Sequence, residues 1–353
     1  MIYAVLIGIV FFYGFFILYN AAIELQKRKK IFLFLTFLTF ALVIGLRSIE
    51  VGVDTYNYNM IYHIMQQTKW GEVKNNIFFT GTEIAYAYLM KFFAFIGLNY
   101  IVFQLVEAFI FCFLMARFIF YKKISPLFSV MLFLGTELLL FAFNISRQMI
   151  AVGLIINAYV EFEKRNYKKM LLFMICSIFF HFSSIIFIGI FILYSLRNVK
   201  IIKYLIPFII ITAIWNYQKL IPLAVEILGK YSNYFRNART MQTGNGVYFL
   251  WGLVSIISVC VIYNKKQSSN VRIEAVFPLL YVAANVVGLT FNYAERLGIY
   301  FLPFVIVLYD NFVKSLTYKF LQQVFTIIIS IIYIGYFLLS ASSAQYNYSF
   351  FWK

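Results

Sequence analysis

The chain has 353 residues, of which 63% are hydrophobic and only 12% charged, with a mean hydropathy of +0.85; soluble domains run at roughly 45–50% apolar. No water-soluble fold hides that much apolar surface, so a bilayer is the solvent. The net charge of +17 does not point to nucleic acid, because the basic residues sit in short clusters between apolar runs, where membrane topology accounts for them.

Apolar runs near the ~20 residues needed to cross about 30 Å of hydrocarbon predict an all-α, polytopic transmembrane bundle of about twelve helices, some short or broken. The spans fall at about 3 to 22, 31 to 46, 100 to 121, 125 to 143, 148 to 162, 170 to 180, 184 to 196, 204 to 224, 247 to 263, 274 to 291, 297 to 312 and 320 to 340. The first run carries no basic n-region and no clear small-residue cleavage site, as expected of a retained helix rather than a signal peptide. Residues 83 to 97 read as an interfacial helix leading into the next span. The pair of runs around His181 is too short for two ordinary crossings, so two half-length or tilted helices with His181 at their junction are expected; such breaks line cavities. Two outer loops, at about 47–82 and 225–246, separate these runs within one membrane domain, residues 1–353. Cys112, Cys176 and Cys260 lie singly in apolar segments and read as packing.

Basic clusters at Lys27 to Lys30, Lys122 and Lys123, Lys164 to Lys169, Arg197 to Lys203, Lys265 to Arg272, and Lys314 with Lys319 belong in the cytoplasm by the positive-inside rule, which leaves both termini outside. With that topology 14 lysines lie inside and 6 outside. Arginine breaks the pattern: Arg28, Arg117, Arg165, Arg197 and Arg272 are inside, whereas Arg47, Arg147, Arg236, Arg239 and Arg296 are outside. Ionisable groups where a helix meets the membrane boundary need a reason. Arginine keeps its charge when partly desolvated and offers a planar fork that clamps two phosphate oxygens. An outward arginine cluster therefore suggests an anionic, phosphorylated ligand; the competing reading is that each arginine snorkels to headgroups or pairs with acids such as Glu50 and Glu295.

GLRSIEVGVDTYNY at 45–58, ISRQMIAVGLIINAYVEFEKRNYKK at 145–169, FFHFSSIIFIGIFIL at 179–193, KYSNYF at 230–235 and NYAERLGIYF at 292–301 together resemble the EpsG family of Wzy-like polymerases of bacterial surface polysaccharides. The resemblance implies a GT-C-like helical fold in the bacterial plasma membrane, with the site facing the periplasm or exterior. It also implies an enzyme that joins oligosaccharide repeat units carried on undecaprenyl diphosphate, transferring the growing glycan from its diphosphate to a sugar hydroxyl of the next unit. Membrane lipid, a flippase and a chain-length regulator are the further partners it implies; nucleic acid, cofactors and metal are not expected.

For that chemistry the diphosphate-binding candidates are Arg147, Arg296 and Arg47, followed by Arg236 and Arg239 in the later loop, since fixed cationic donors stabilise charge developing on the leaving oxygens. The base is His181 or Asp54: histidine titrates in the working range, while Asp54 could equally orient a sugar hydroxyl or pair with Arg47. His63, among Tyr62 and Met65, reads as an ordinary interfacial residue, and Glu107 and Glu137 as interior polar contacts. Glu295, Tyr56, Tyr58, Tyr231 and Tyr234 are the candidate glycan contacts. Two rival functions remain, a transporter or flippase of lipid-linked oligosaccharide and a membrane acyltransferase acting on surface polysaccharide. The first would need a polar path through both leaflets, yet the inner halves of these segments are nearly all Phe, Ile and Leu. The second would need a reactive group on the cytoplasmic side, where no histidine lies. A non-catalytic scaffold would leave the outer arginines unexplained.

Overall fold

The computed structural model describes residues 2–195, 245–289 and 293–352. It is 82% helical, and among the described residues no strand forms; one isolated extended bridge joins Arg47 and Phe350. In chain order the helices are α1 (Ile2–Tyr13), α2 (Leu25–Gly45), α3 (Thr55–Gln67), α4 (Val73–Thr80), α5 (Ile84–Phe95), α6 (Tyr100–Tyr121), α7 (Pro126–Gly135), α8 (Leu138–Asn144), α9 (Ser146–Glu163), α10 (Tyr167–Phe180) and α11 (Ile186–Ser195). There follow α12 (Asn245–Tyr263), α13 (Ser269–Glu274), α14 (Val276–Gly288), α15 (Tyr293–Gly298), α16 (Leu302–Ser315) and α17 (Lys319–Ala341). Local chemistry sets several starts. Asn99 accepts from the Val102 amide at 3.0 Å and caps α6; Asn166 does the same for α10 through Lys169; prolines open α7 and α16, where their missing N–H costs nothing.

Among the described residues five stretches are long and apolar enough to cross a bilayer: Tyr100–Tyr121, Gly246–Tyr263, Ser269–Gly288, Ala294–Ser315 and Lys319–Ala341. The bent pair Pro126–Gly135 and Leu138–Asn144, with 49° between its halves, makes a sixth if counted as one span. The other spans read from the sequence in the described regions coincide with shorter or more charged helices. α2 opens on Lys27, Arg28, Lys29 and Lys30, and the 14 residues of α10 reach only about 21 Å at 1.5 Å per residue. The span at 204 to 224 and most of the loop at 225–246 lie outside the described residues.

By packing, the chain forms two compact units, Met1–Ser184 with Tyr318–Lys353, and Ile185–Thr317. In the first, α2 packs on α6, α6 on α9, α9 on α10, and α7 on α17. The α7–α17 approach is close enough to require glycine, because a Cβ on Gly135 would lie 2.7 Å from the Tyr333 carbonyl oxygen. Small residues at such crossings let helix backbones meet inside a membrane. The segment 47–82, read as a loop, instead folds as α3, a short 3-10 turn and α4. Its reason is a helical repeat of apolar positions: Tyr58, Tyr62 and Met65 of α3 bury against Tyr86 and Met90 of α5 and Phe103 of α6. Lys91 of α5, 6% exposed, donates to the Met65 carbonyl at 3.1 Å near the end of α3, where free carbonyls accept a cation well. The second unit is centred on aromatic contacts, with Phe277 of α14 4.6 Å from Phe304 of α16 and Phe187 of α11 5.3 Å from Phe301.

Arg47 departs from its expected role. It is 1% exposed, and its guanidinium donates to the carbonyls of Ile44 (2.5 Å), Val51 (3.3 Å) and Phe143 (3.0 Å) and to Thr55 Oγ1 (3.2 Å). Four of its five N–H donors thus hold the chain itself, where a diphosphate clamp was anticipated. Gly52, at φ +92°, lets the turn after Arg47 press on α8: a Cβ there would lie 2.5 Å from the Phe143 oxygen. The C-terminal tail closes the same turn, with Ser48 donating to Ser349 (2.9 Å), Gly52 to Gln345 (3.0 Å) and Phe351 to Leu46 (3.0 Å).

Removing the Arg47 donors leaves the Val51 and Phe143 oxygens to share the one Thr55 hydroxyl and takes a donor from Ile44, each carbonyl left unsatisfied costing roughly 1–3 kcal/mol. Arg47→Met should therefore lower the thermal unfolding midpoint in detergent by roughly 10 °C or more. A midpoint within about 2 °C of wild type would return Arg47 to ligand binding.

Candidate functional site

The three charged or titratable side chains that meet at one end of the first unit come from three different elements. α9 and α10 form an antiparallel hairpin whose turn carries Lys164, Arg165, Lys168 and Lys169. At the opposite end α9 starts with Ser146 and Arg147, and α10 stops at Phe180 because His181 turns extended (φ −156°, ψ 111°) before a 3-10 turn at Phe182–Ile185. His181 thus sits at a helix junction, as the short apolar runs predicted. The third contributor is Glu83, the residue that precedes α5; it follows Gly81, which adopts φ +61°.

Glu83 divides its carboxylate between two partners. Oε2 accepts from Arg147 Nη1 at 2.5 Å, and Oε1 lies 2.7 Å from His181 Nδ1. Side-chain exposures of 20% for Arg147, 13% for Glu83 and 20% for His181 place the cluster at an opening, reachable yet largely withdrawn from water, where ion pairs are screened less than at the surface. The Arg147 guanidinium also donates to the Gly81 carbonyl at 3.3 Å and lies over the rings of Tyr58 (5.4 Å) and Tyr86 (5.7 Å). Burial pushes the Glu83 carboxyl up, but its hydrogen bond with His181 and the positive charge of Arg147 outweigh this and hold it below the ordinary carboxylate range. With Nδ1 facing Glu83, Nε2 is the ring nitrogen left to meet another group.

Beneath this cluster a second polar layer is closed from solvent. Tyr86 and Ser146 lie 3.3 Å apart through their hydroxyls, and Ser146 donates to Glu107 Oε1 at 3.3 Å. Glu107, Arg47 and Gln104 line one small cavity with Ile44, Ala108, Phe111, Ala142 and Met149. Glu107 therefore shares a small cavity with buried Arg47, in keeping with the interior position read for it, and Glu137 is bonded to Ser340 and Tyr336 in the bend between α7 and α8.

The remaining candidates separate clearly. Asp54 is half-buried at the start of α3, one turn before Tyr58. Tyr58 is 4% exposed and packs under Arg147, so its expected glycan contact is replaced by a supporting role; Tyr56, 56% exposed, faces outward. His63 is exposed, with Nδ1 2.8 Å from Gln66 Oε1 on its own helix. Glu295 and Arg296 lie on α15 of the second unit, the former half-buried and the latter exposed. Arg236, Arg239, Tyr231 and Tyr234 lie outside the described residues. Sequence reasoning missed Glu83 and Tyr86. The available signal was the lone acid of the run TGTEIAYAYLM, in a segment assigned to the membrane interface, opposite an arginine that needed a counter-charge.

The model of one family, described as the EpsG family, matches residues 30–352. No curated protein and no solved structure matches the chain.

Because the folded Glu83 carboxyl is depressed, the stability its ionised form contributes is present above the unfolded carboxylate's pKa of about 4.3 and is lost as pH falls through the lower folded value. The difference in thermal midpoint between wild type and Glu83→Gln should thus be full near neutral pH and shrink on acidification below about pH 4. A difference that stays constant down to about pH 3 would show that the carboxylate's charge does not hold the cluster.

Proposed function

The chain belongs to the EpsG family, a Wzy-like polysaccharide polymerase family, and its long apolar helices make it an integral membrane protein; from this premise we propose that it polymerises lipid-linked oligosaccharide repeat units at the Arg147–Glu83–His181 cluster. The observation that carries the reading is the one carboxylate shared by a guanidinium and an imidazole at an opening of the helical bundle.

The donor is a glycan on undecaprenyl diphosphate and the acceptor a sugar hydroxyl of the next lipid-linked unit. The anomeric carbon–oxygen bond to the diphosphate breaks, a bond from that carbon to the acceptor oxygen forms, and the acceptor proton passes to His181 Nε2 and then to water. Glu83 fixes the imidazole tautomer and supports the imidazolium that forms, the logic by which a carboxylate serves a catalytic histidine elsewhere. Arg147 donates to the departing diphosphate oxygens; its seat on Tyr58 and Tyr86 keeps the donor fork oriented before the charge develops. Asp54 orients a sugar hydroxyl. Tyr56 adds a glycan contact; for Glu295, Arg296, Arg236, Arg239, Tyr231 and Tyr234 glycan or phosphate contact is proposed from residue type alone.

The cluster lies at the end of the α9–α10 hairpin away from Lys164, Arg165, Lys168 and Lys169, so the positive-inside rule puts it on the outer face of a bacterial plasma membrane. About twelve crossings of a GT-C-like bundle complete the picture, and a flippase and a chain-length regulator are its partners. A flippase would also bind diphosphate through arginine, but it has no use for a histidine whose tautomer is fixed by a carboxylate, and that pairing favours chemistry over transport.

Purified protein in liposomes with a lipid-linked repeat unit should produce a glycan ladder. Arg147→Lys, a point charge in place of the fork, should slow it by about 10²–10³-fold, and His181→Gln by about 10²–10⁴-fold. Folded wild-type protein that moves the lipid across the bilayer without making a ladder would sink the polymerase reading in favour of transport.

A further inference from the structure

We propose that Glu83 occupies the place of the ligand's anionic group: a phosphate arriving at Arg147 displaces the carboxylate, which turns wholly to His181 and so readies the base only while the donor is bound. The proposal deepens the polymerase reading and takes its ligand class, a lipid-linked diphosphate, from it.

The geometry supplies both halves of the exchange. Glu83 offers one oxygen to each partner, Oε2 to Arg147 at 2.5 Å and Oε1 to His181 at 2.7 Å. A largely buried guanidinium left without an anion would pay the full desolvation penalty, so a carboxylate stands there in the ligand-free protein. Arg147 does not need Glu83 to stay in position. Its guanidinium rests over Tyr58 and Tyr86 and donates to Gly81, and its Nε has no hydrogen-bond partner. The fork can therefore change acceptors without moving. Once released, the carboxylate has His181 already within hydrogen-bond distance, and its undivided charge then supports the imidazolium that forms as the acceptor loses its proton. Among the described residues, the charged and titratable groups around His181 on the neighbouring elements are Glu83 before α5, Arg147 on α9, and, behind Arg147, Tyr58 on α3 and Tyr86 on α5, with Glu107 of α6 in the layer below.

The exchange predicts that removing the placeholder helps binding and harms chemistry. Inorganic pyrophosphate binding to the full-length protein in nanodiscs, followed by calorimetry, should tighten about tenfold in Glu83→Gln, while kcat for ladder formation falls about hundredfold and KM for the lipid-linked donor falls with the pyrophosphate Kd. A carboxylate that merely props the fold would lower kcat and weaken or leave unchanged the binding. His181→Ala is the second variant: it does not touch the anion, yet pyrophosphate should bind severalfold more weakly, because the displaced carboxylate has lost the donor it turns to. An unchanged or weaker Kd in Glu83→Gln, or an unchanged Kd in His181→Ala, overturns the exchange. A ladder from wild type with no tightening in Glu83→Gln leaves the polymerase reading standing and the exchange fallen; tightening without any ladder does the reverse.

Discussion

A guanidinium with no solvent to face organises one end of the first unit. Arg47 sits where α2 ends, and by donating to carbonyls of Ile44, Val51 and Phe143 it joins three stretches of chain that would otherwise each present unsatisfied acceptors. An arginine suits this task because its donors spread over a plane and its charge persists under desolvation. Thr55 reinforces the join, donating to Val51 at 2.7 Å and lying within 3.0 Å of the Phe143 oxygen. From that anchored turn α3 departs in the direction that delivers Tyr58 to Arg147. The placement of Tyr58 beneath Arg147 is thus inherited from a residue whose donors are spent on the chain itself.

Arg47 and Arg147 of the first unit illustrate how environment gives one residue type two surroundings. Arg47 finds backbone oxygens on every side and is structural. Arg147, on the first turn of α9, meets the positive end of a helix dipole, so it demands an anion, and Glu83 supplies one while remaining reachable. A site that keeps one cation balanced by a movable carboxylate is suited to a ligand that brings negative charge of its own, whereas a site saturated by the backbone is not.

Much of this architecture was legible in the sequence. Hydropathy and the lysine clusters located helices such as α6 and α17 almost to the residue, since a span's length and its basic flank are local properties. His181 was recognisable as a junction because two runs of fewer than fourteen residues cannot both cross. Arg147 stood out as an outer cation at a helix start. What could not be read was pairing. Whether an arginine meets carbonyls or a carboxylate depends on which segments fold over it, so Arg47 and Arg147 looked alike, and Glu83 lay in a stretch that composition assigned to the interface. Tyr56 and Tyr58, two residues apart, were given one role, although on a helix they point some 200° apart and one is buried while the other is exposed.

The hydrogen bonds that the tail makes to the turn at Leu46–Gly52 bear on the order in which this protein matures. Gln345, Ser349 and Phe351 leave the ribosome some 300 residues after the turn they secure, and at about 5–20 residues per second that interval lasts on the order of tens of seconds. Throughout it α2, α3 and α8 stand without their last strap, while every residue of the second unit is being synthesised. Closure of this turn therefore waits for residues 345–351, which are made long after α2, α3 and α8.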